Sequence, residues 1–83
     1  MEKLIILGIL VMDREHLALP LQDIFSKYGC CIKTRLGLNE LDIPDTGEAG
    51  LIILELMGDA DECARLENDI LNLEGVKVRK MTF

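Results

Sequence analysis

The apolar pattern is densest in residues 4–12, Leu-Ile-Ile-Leu-Gly-Ile-Leu-Val-Met, a run without a single charge. Read with a period of two, Leu4, Ile6, Gly8, Leu10 and Met12 share one side, and Ile5, Leu7, Ile9 and Val11 share the other. Both sides are apolar, which predicts a strand covered on both faces. Residues 51–57 repeat the pattern, with Ile52, Leu54 and Leu56 on one side and Leu51, Ile53, Glu55 and Met57 on the other. Two further stretches alternate instead. In residues 30–38, Cys30, Ile32, Thr34 and Leu36 oppose Cys31, Lys33, Arg35 and Gly37. In residues 76–82, Val76, Val78 and Lys80 oppose Lys77, Arg79 and Met81. Such one-sided strands belong at sheet edges, where Lys and Arg also discourage further pairing.

Between the strands the period changes. Asp13 is a good N-cap, and Leu17, Leu21, Ile24, Phe25 and Tyr28 follow at helical spacing. Gly29 is the expected C-terminal stop. Pro20 falls inside this stretch and would free the carbonyl of His16. A kinked helix is expected rather than a late start near Leu19, because Leu17 already belongs to the stripe. Asp59 and Glu62 resemble a capping box, Cys63, Leu66, Ile70 and Leu73 form a second stripe, and Gly75 is its expected end. Residues 39–50 read as a loop, with Pro44, Gly47, Gly50 and the acids Glu40, Asp42, Asp45 and Glu48.

The two halves repeat. LIIL occurs at residues 4–7 and 51–54; Asp13 matches Asp59, Asp23-Ile24 matches Asp69-Ile70, Gly29 matches Gly75, and Ile32-Lys33 matches Val78-Arg79. Each half is strand, helix, strand. The expectation is therefore one α+β domain over residues 1–83: a ferredoxin-like βαββαβ two-layer sandwich with antiparallel order 4-1-3-2. Both helices then lie on one face. The opposite face is left with an apolar centre from strands one and three, margins of Lys33 with Arg35 and Lys77 with Arg79, and a single acid, Glu55. An apolar patch of that kind is uncommon on a soluble monomer, so this face is expected to meet another copy of the chain, as a dimer or tetramer. Ile53, Met57, Lys33, Arg79 and Met81 are the expected interface residues.

Length sharpens that expectation. Eighty-three residues bury only roughly 60–65% of their unfolded surface, so the stability margin is thin without help. Three cysteines, an odd number without a C-x-x-C pair, do not read as disulfide staples and suit a reducing cytoplasm. Residues 4–12 are too short to span a bilayer, and no signal-peptide pattern is present. A net charge of −6 and three aromatic residues argue against direct nucleic-acid binding.

Candidate chemistry is sparse. Cys30, Cys31, Cys63 and His16 lack metal-ligand spacing, and Cys30 and Cys31, on opposite faces of a strand, would not share an ion. Cys30 and Cys63 read as core residues, and Cys31, beside Lys33, as the thiol with an eased pKa or an inert interface residue. No metal ligands and no cofactor are expected. The acidic loop matches no calcium pattern and reads as solvated. Asp13, Arg14, Glu15 and His16 stand at a helix start, where free N–H groups favour anions. With Arg35 brought close across a subunit boundary, Asp13 and Arg14 could hold a small anionic metabolite or an amino acid; the alternative is a capped, solvated helix start. No nucleophile–base pair, paired carboxylates or phosphate loop point to catalysis.

The segments Val11-Met12-Asp13-Arg14, Tyr28-Gly29, Ile32, Arg35-Leu36-Gly37 and Gly75-Val76-Lys77-Val78 resemble a family of small bacterial proteins, the iron-only hydrogenase system regulators. The resemblance implies an ACT-like module that oligomerises through its sheet and senses a small ligand. It also implies kinship with the ligand-binding half of the nickel-responsive repressor, without its histidine-rich site, since the chain has one histidine. ACT domains usually carry a glycine where Glu15 and His16 stand. Two functions are therefore expected as alternatives: a small-ligand-sensing regulatory module, or a protein-interaction module without a small-molecule ligand.

Overall fold

A computed structural model describes residues 4–38 and 49–83. The elements run β1 (Ile5–Val11), α1 (Arg14–Lys27), a 3-10 turn (Gly29–Cys31), β2 (Ile32–Leu38), β3 (Gly50–Leu56), α2 (Ala60–Leu71) and β4 (Val76–Thr82). The strands form one antiparallel sheet in the order β2-β3-β1-β4, so the two strands with apolar faces on both sides take the centre. The expected order 4-1-3-2 is this order read from the other edge. The candidate cation loop, Glu40, Asp42, Asp45 and Glu48, lies outside the described residues.

The core explains the layering. Leu7, Ile9 and Val11 of β1 and Leu54 and Leu56 of β3 are buried with Leu17, Leu21 and Phe25 of α1 and Cys63, Leu66 and Ile70 of α2. Both helices therefore cover the same sheet face. Burial of these side chains is the main stabilising term, at roughly 1.5–3 kcal/mol for each large aliphatic one.

Helix α1 starts where its cap predicts. Asp13 Oδ1 accepts from the backbone N–H of His16 at 3.3 Å. The helix is continuous through Pro20 from Arg14, which removes the late start near Leu19 as an alternative. Its end differs from expectation. Tyr28 is the C-cap, its N–H donating to the carbonyl of Ile24, and Gly29 opens the 3-10 turn without a positive φ. Helix α2 is capped by Asp59, whose carboxylate accepts from the Asp61 N–H at 2.9 Å. Glu62 does not close the capping box; it turns to Arg65, 2.6 Å away. The helix ends at Leu71, short of Gly75. Gly75 instead makes the turn into β4 at φ +87°, and its carbonyl accepts from Met12 N–H at 2.8 Å.

Strand β2 departs from simple alternation twice. The 3-10 turn swaps the cysteines, so Cys31 is buried and Cys30 exposed. A bulge between Ile32 and Thr34 then places Thr34 opposite Glu55, Arg35 opposite Leu54 and Leu36 opposite Ile53. An extra residue in one strand reverses the facing of everything beyond it. Arg35 thus joins the helix side of the sheet, against expectation, and Thr34 and Leu36 join the open side.

Candidate functional site

The arginine pair meets inside one chain. Arg14 is the first residue of α1, and Arg35 lies in β2 on the helix side of the sheet. Both line a cleft of about 440 Å³ between α1 and the β2–β3 edge. The floor is apolar, from Val11, Leu21 and Ile52, with Ala18 on the helix wall; Glu15 and Gln22 complete the polar lining. A few polar groups over an apolar floor is the usual composition of a small-molecule site. The subunit boundary expected between Arg14 and Arg35 is not needed, because the bulge turns Arg35 toward α1.

Arg35 is held in place. Its guanidinium carbon lies 4.7 Å from the centroid of the Phe25 ring. Its Nη1 donates to Gln22 Oε1 at 3.2 Å. Held in this way, Arg35 lines the cleft with a planar fork of donors, the kind of group that suits carboxylate or phosphate.

Asp13, the third expected ligand residue, does not line the cleft. Its carboxylate serves the helix start, with Oδ2 2.6 Å from His16 Nδ1. The His16 backbone N–H and then the His16 side chain hold the Asp13 carboxyl below its ordinary value. Glu15 and Gln22 were the missed residues. Helical spacing puts Ala18 and Gln22 one turn apart and so on one face with Arg14, a signal the chain does carry.

The open sheet face is apolar at its centre, with Ile6, Leu10, Leu51 and Ile53 half-buried. Leu36 and Met81 are more than half exposed at its margins, at 51% and 57%. Of the expected interface residues, Lys33, Ile53, Arg79 and Met81 lie on this side, and Met57 follows the end of β3. Glu55 is partly neutralised there: Thr34 Oγ1 donates to it at 2.8 Å, and Lys33 Nζ stands 4.0 Å away.

The cysteines gather at the other end of β2. Cys30 Sγ and Cys31 Sγ are 3.9 Å apart, which overturns the expectation that they face apart. Burial, then the neighbouring Cys30 and Cys63 thiols, push the Cys31 thiol up to about 12, so it is not the activated thiol its place beside Lys33 suggested. Cys63 Sγ lies 3.7 Å from the Met57 carbonyl.

No helix among the described residues is long and apolar enough to cross a membrane. No protein-family model matches the chain, and no curated protein matches it in sequence. Solved structures do match its fold. An uncharacterised protein from Thermotoga maritima superposes with a TM-score of 0.80 at 25% identity, over 100% of this chain and 99% of that one. The ACT domain of the GTP pyrophosphokinase of Chlorobium tepidum gives 0.69 at 17% identity, over 98% and 100%. A nitrogen regulatory PII-like protein from Thiomonas intermedia, bound to ADP, AMP and bicarbonate, gives 0.62 at 15% identity, over 98% and 90%. Strand order, helix placement and these superpositions together give the chain the ferredoxin-like fold that the ACT domain and the PII-like protein share.

Proposed function

We propose that the chain is a regulatory module that senses a small anionic ligand and self-associates through its open sheet face. The observation that carries this reading is the convergence of Arg14 and Arg35 on one apolar-floored cleft. Two guanidinium groups favour a carboxylate or phosphate, and Glu15 beside them suits a ligand that also bears an amine or hydroxyl. An amino acid or a nucleotide has both. The fold analogy points the same way, since the PII-like neighbour holds ADP, AMP and bicarbonate. In this reading the chain catalyses no reaction, and the resemblance at Val11-Met12-Asp13-Arg14 and Arg35-Leu36-Gly37 supplies hydrogenase as the regulated system.

A thermal-shift screen of adenine nucleotides, amino acids and bicarbonate tests it. A ligand at a hundred times its Kd raises stability by about 2.7 kcal/mol. Stabilisation by one ligand class, lost in Arg14→Ala and Arg35→Ala, is the expected outcome. Silence across the screen at saturating concentrations rejects the reading. A second reading, a protein-interaction module, is favoured by the exposure of Leu36 and Met81 on the open face. A pull-down that recovers only the chain itself counts against it.

A further inference from the structure

The adjacent Cys30 and Cys31 and the distant Glu62 each bring a ligand atom within 4.8 Å of the others. The convergence has three structural causes. The 3-10 turn at Gly29–Cys31 tightens the chain so that neighbouring thiols no longer point apart. The Met57 N–H donates to the Cys31 carbonyl at 2.8 Å, which ties this turn to the end of β3. Glu62 then sits in the first turn of α2, where the helix begins just beyond Gly58.

We propose that these three side chains form a binding site for a thiophilic divalent cation of the zinc class, with a coordination position open to solvent. Two thiolates with a carboxylate are a donor set that zinc accepts, at a mouth opened by the exposed Cys30. A purely thiolate-seeking monovalent ion would gain nothing from Glu62. The charges also close. Two thiolates and a carboxylate exceed a divalent cation by one negative charge, and the Arg65 guanidinium, 2.6 Å from Glu62 Oε1, offsets it. The N-terminal end of α2 favours negative ligands as well. Binding displaces both thiol protons to solvent, and the cation takes their place. None of these residues lines the arginine cleft, so the site stands apart from the proposed function.

Titration of the fully reduced protein with Co(II), followed by displacement with Zn(II), tests the site. One Co(II) per chain is expected, with sulfur-to-cobalt charge transfer in the near ultraviolet and the intense visible bands of a four-coordinate ion. Cys30→Ser, at an exposed position that leaves the core intact, should lose charge-transfer intensity and bind at least tenfold more weakly, about the least that losing even an outer partner costs. Glu62→Gln should weaken binding while retaining the charge transfer. Zinc should protect Cys30 from alkylation. Absence of charge transfer in the folded wild-type protein overturns the proposal. So does a Cys30→Ser or Glu62→Gln protein, folded by circular dichroism, that binds Co(II) as wild type does.

Discussion

Arg35 sits over the Phe25 ring, its guanidinium carbon 4.7 Å from the ring centroid. The contact joins β2 to α1, and Arg35 lines the same cleft as Arg14. An exposed cation–π pair is worth about 0.5–1 kcal/mol. Arg35→Ala should therefore lower unfolding free energy in urea by no more than about 1 kcal/mol, while abolishing any anion-induced thermal shift. Arg35→Lys keeps the charge but loses the bidentate fork, so ligand stabilisation should fall more than protein stability does.

Gly75 turns the chain into β4 at a φ that side chains rarely adopt, and a Cβ there would stand 3.3 Å from Leu17 Cδ1. Gly75→Ala should cost about 1–2 kcal/mol from backbone strain, measured as a lower urea midpoint with an unchanged slope. Gly29 has open space and no positive φ, so Gly29→Ala should be close to neutral. The two glycines match in the internal repeat, and only the structure separates them.

The open sheet face predicts a solution property. Leu36→Glu and Met81→Glu change side chains already exposed in the single chain, so folding should survive. Native mass by light scattering should fall to that of one chain in both variants. A wild-type protein that is already monomeric in dilute solution would remove self-association from the proposed function.

Tyr28 is the sole tyrosine, so tyrosinate absorbance reports on it alone. Its hydroxyl donates to Asp69 Oδ2 at 2.8 Å, and this hydrogen bond, followed by burial, raises the phenol above its ordinary value of 10.0. Lys27 opposes the shift from 5.2 Å above the ring. The stabilisation is therefore complete below pH 10.0 and is lost as pH rises through the folded value. Spectrophotometric titration of the native protein should show a midpoint above that of the denatured chain, and Asp69→Asn should narrow the difference, burial alone remaining to raise the phenol.

Much of the architecture was legible in the residues. Strands apolar on both sides can rest only in the middle of a sheet, and strands apolar on one side only at its edges. The central places of β1 and β3 and the edge places of β2 and β4 followed from that. Asp13 and Asp59 announced both helix starts, because a short side-chain oxygen satisfies amide donors that nothing else in the helix can reach. What the sequence could not supply was the phase of β2. Its alternation reads smoothly from Cys30 to Leu36, yet a 3-10 turn and one bulged residue reverse it twice.

That reversal decided the chemistry. It sent Arg35 to the helices, where Phe25 and Gln22 hold it across from Arg14, and it drew Cys30 and Cys31 toward Glu62. Local pattern records which side chains must leave water, and so the sequence by itself determined layers, strand order and core. Which polar groups meet depends on single-residue shifts in register that change no side chain's hydrophobicity. Tertiary packing alone decided them.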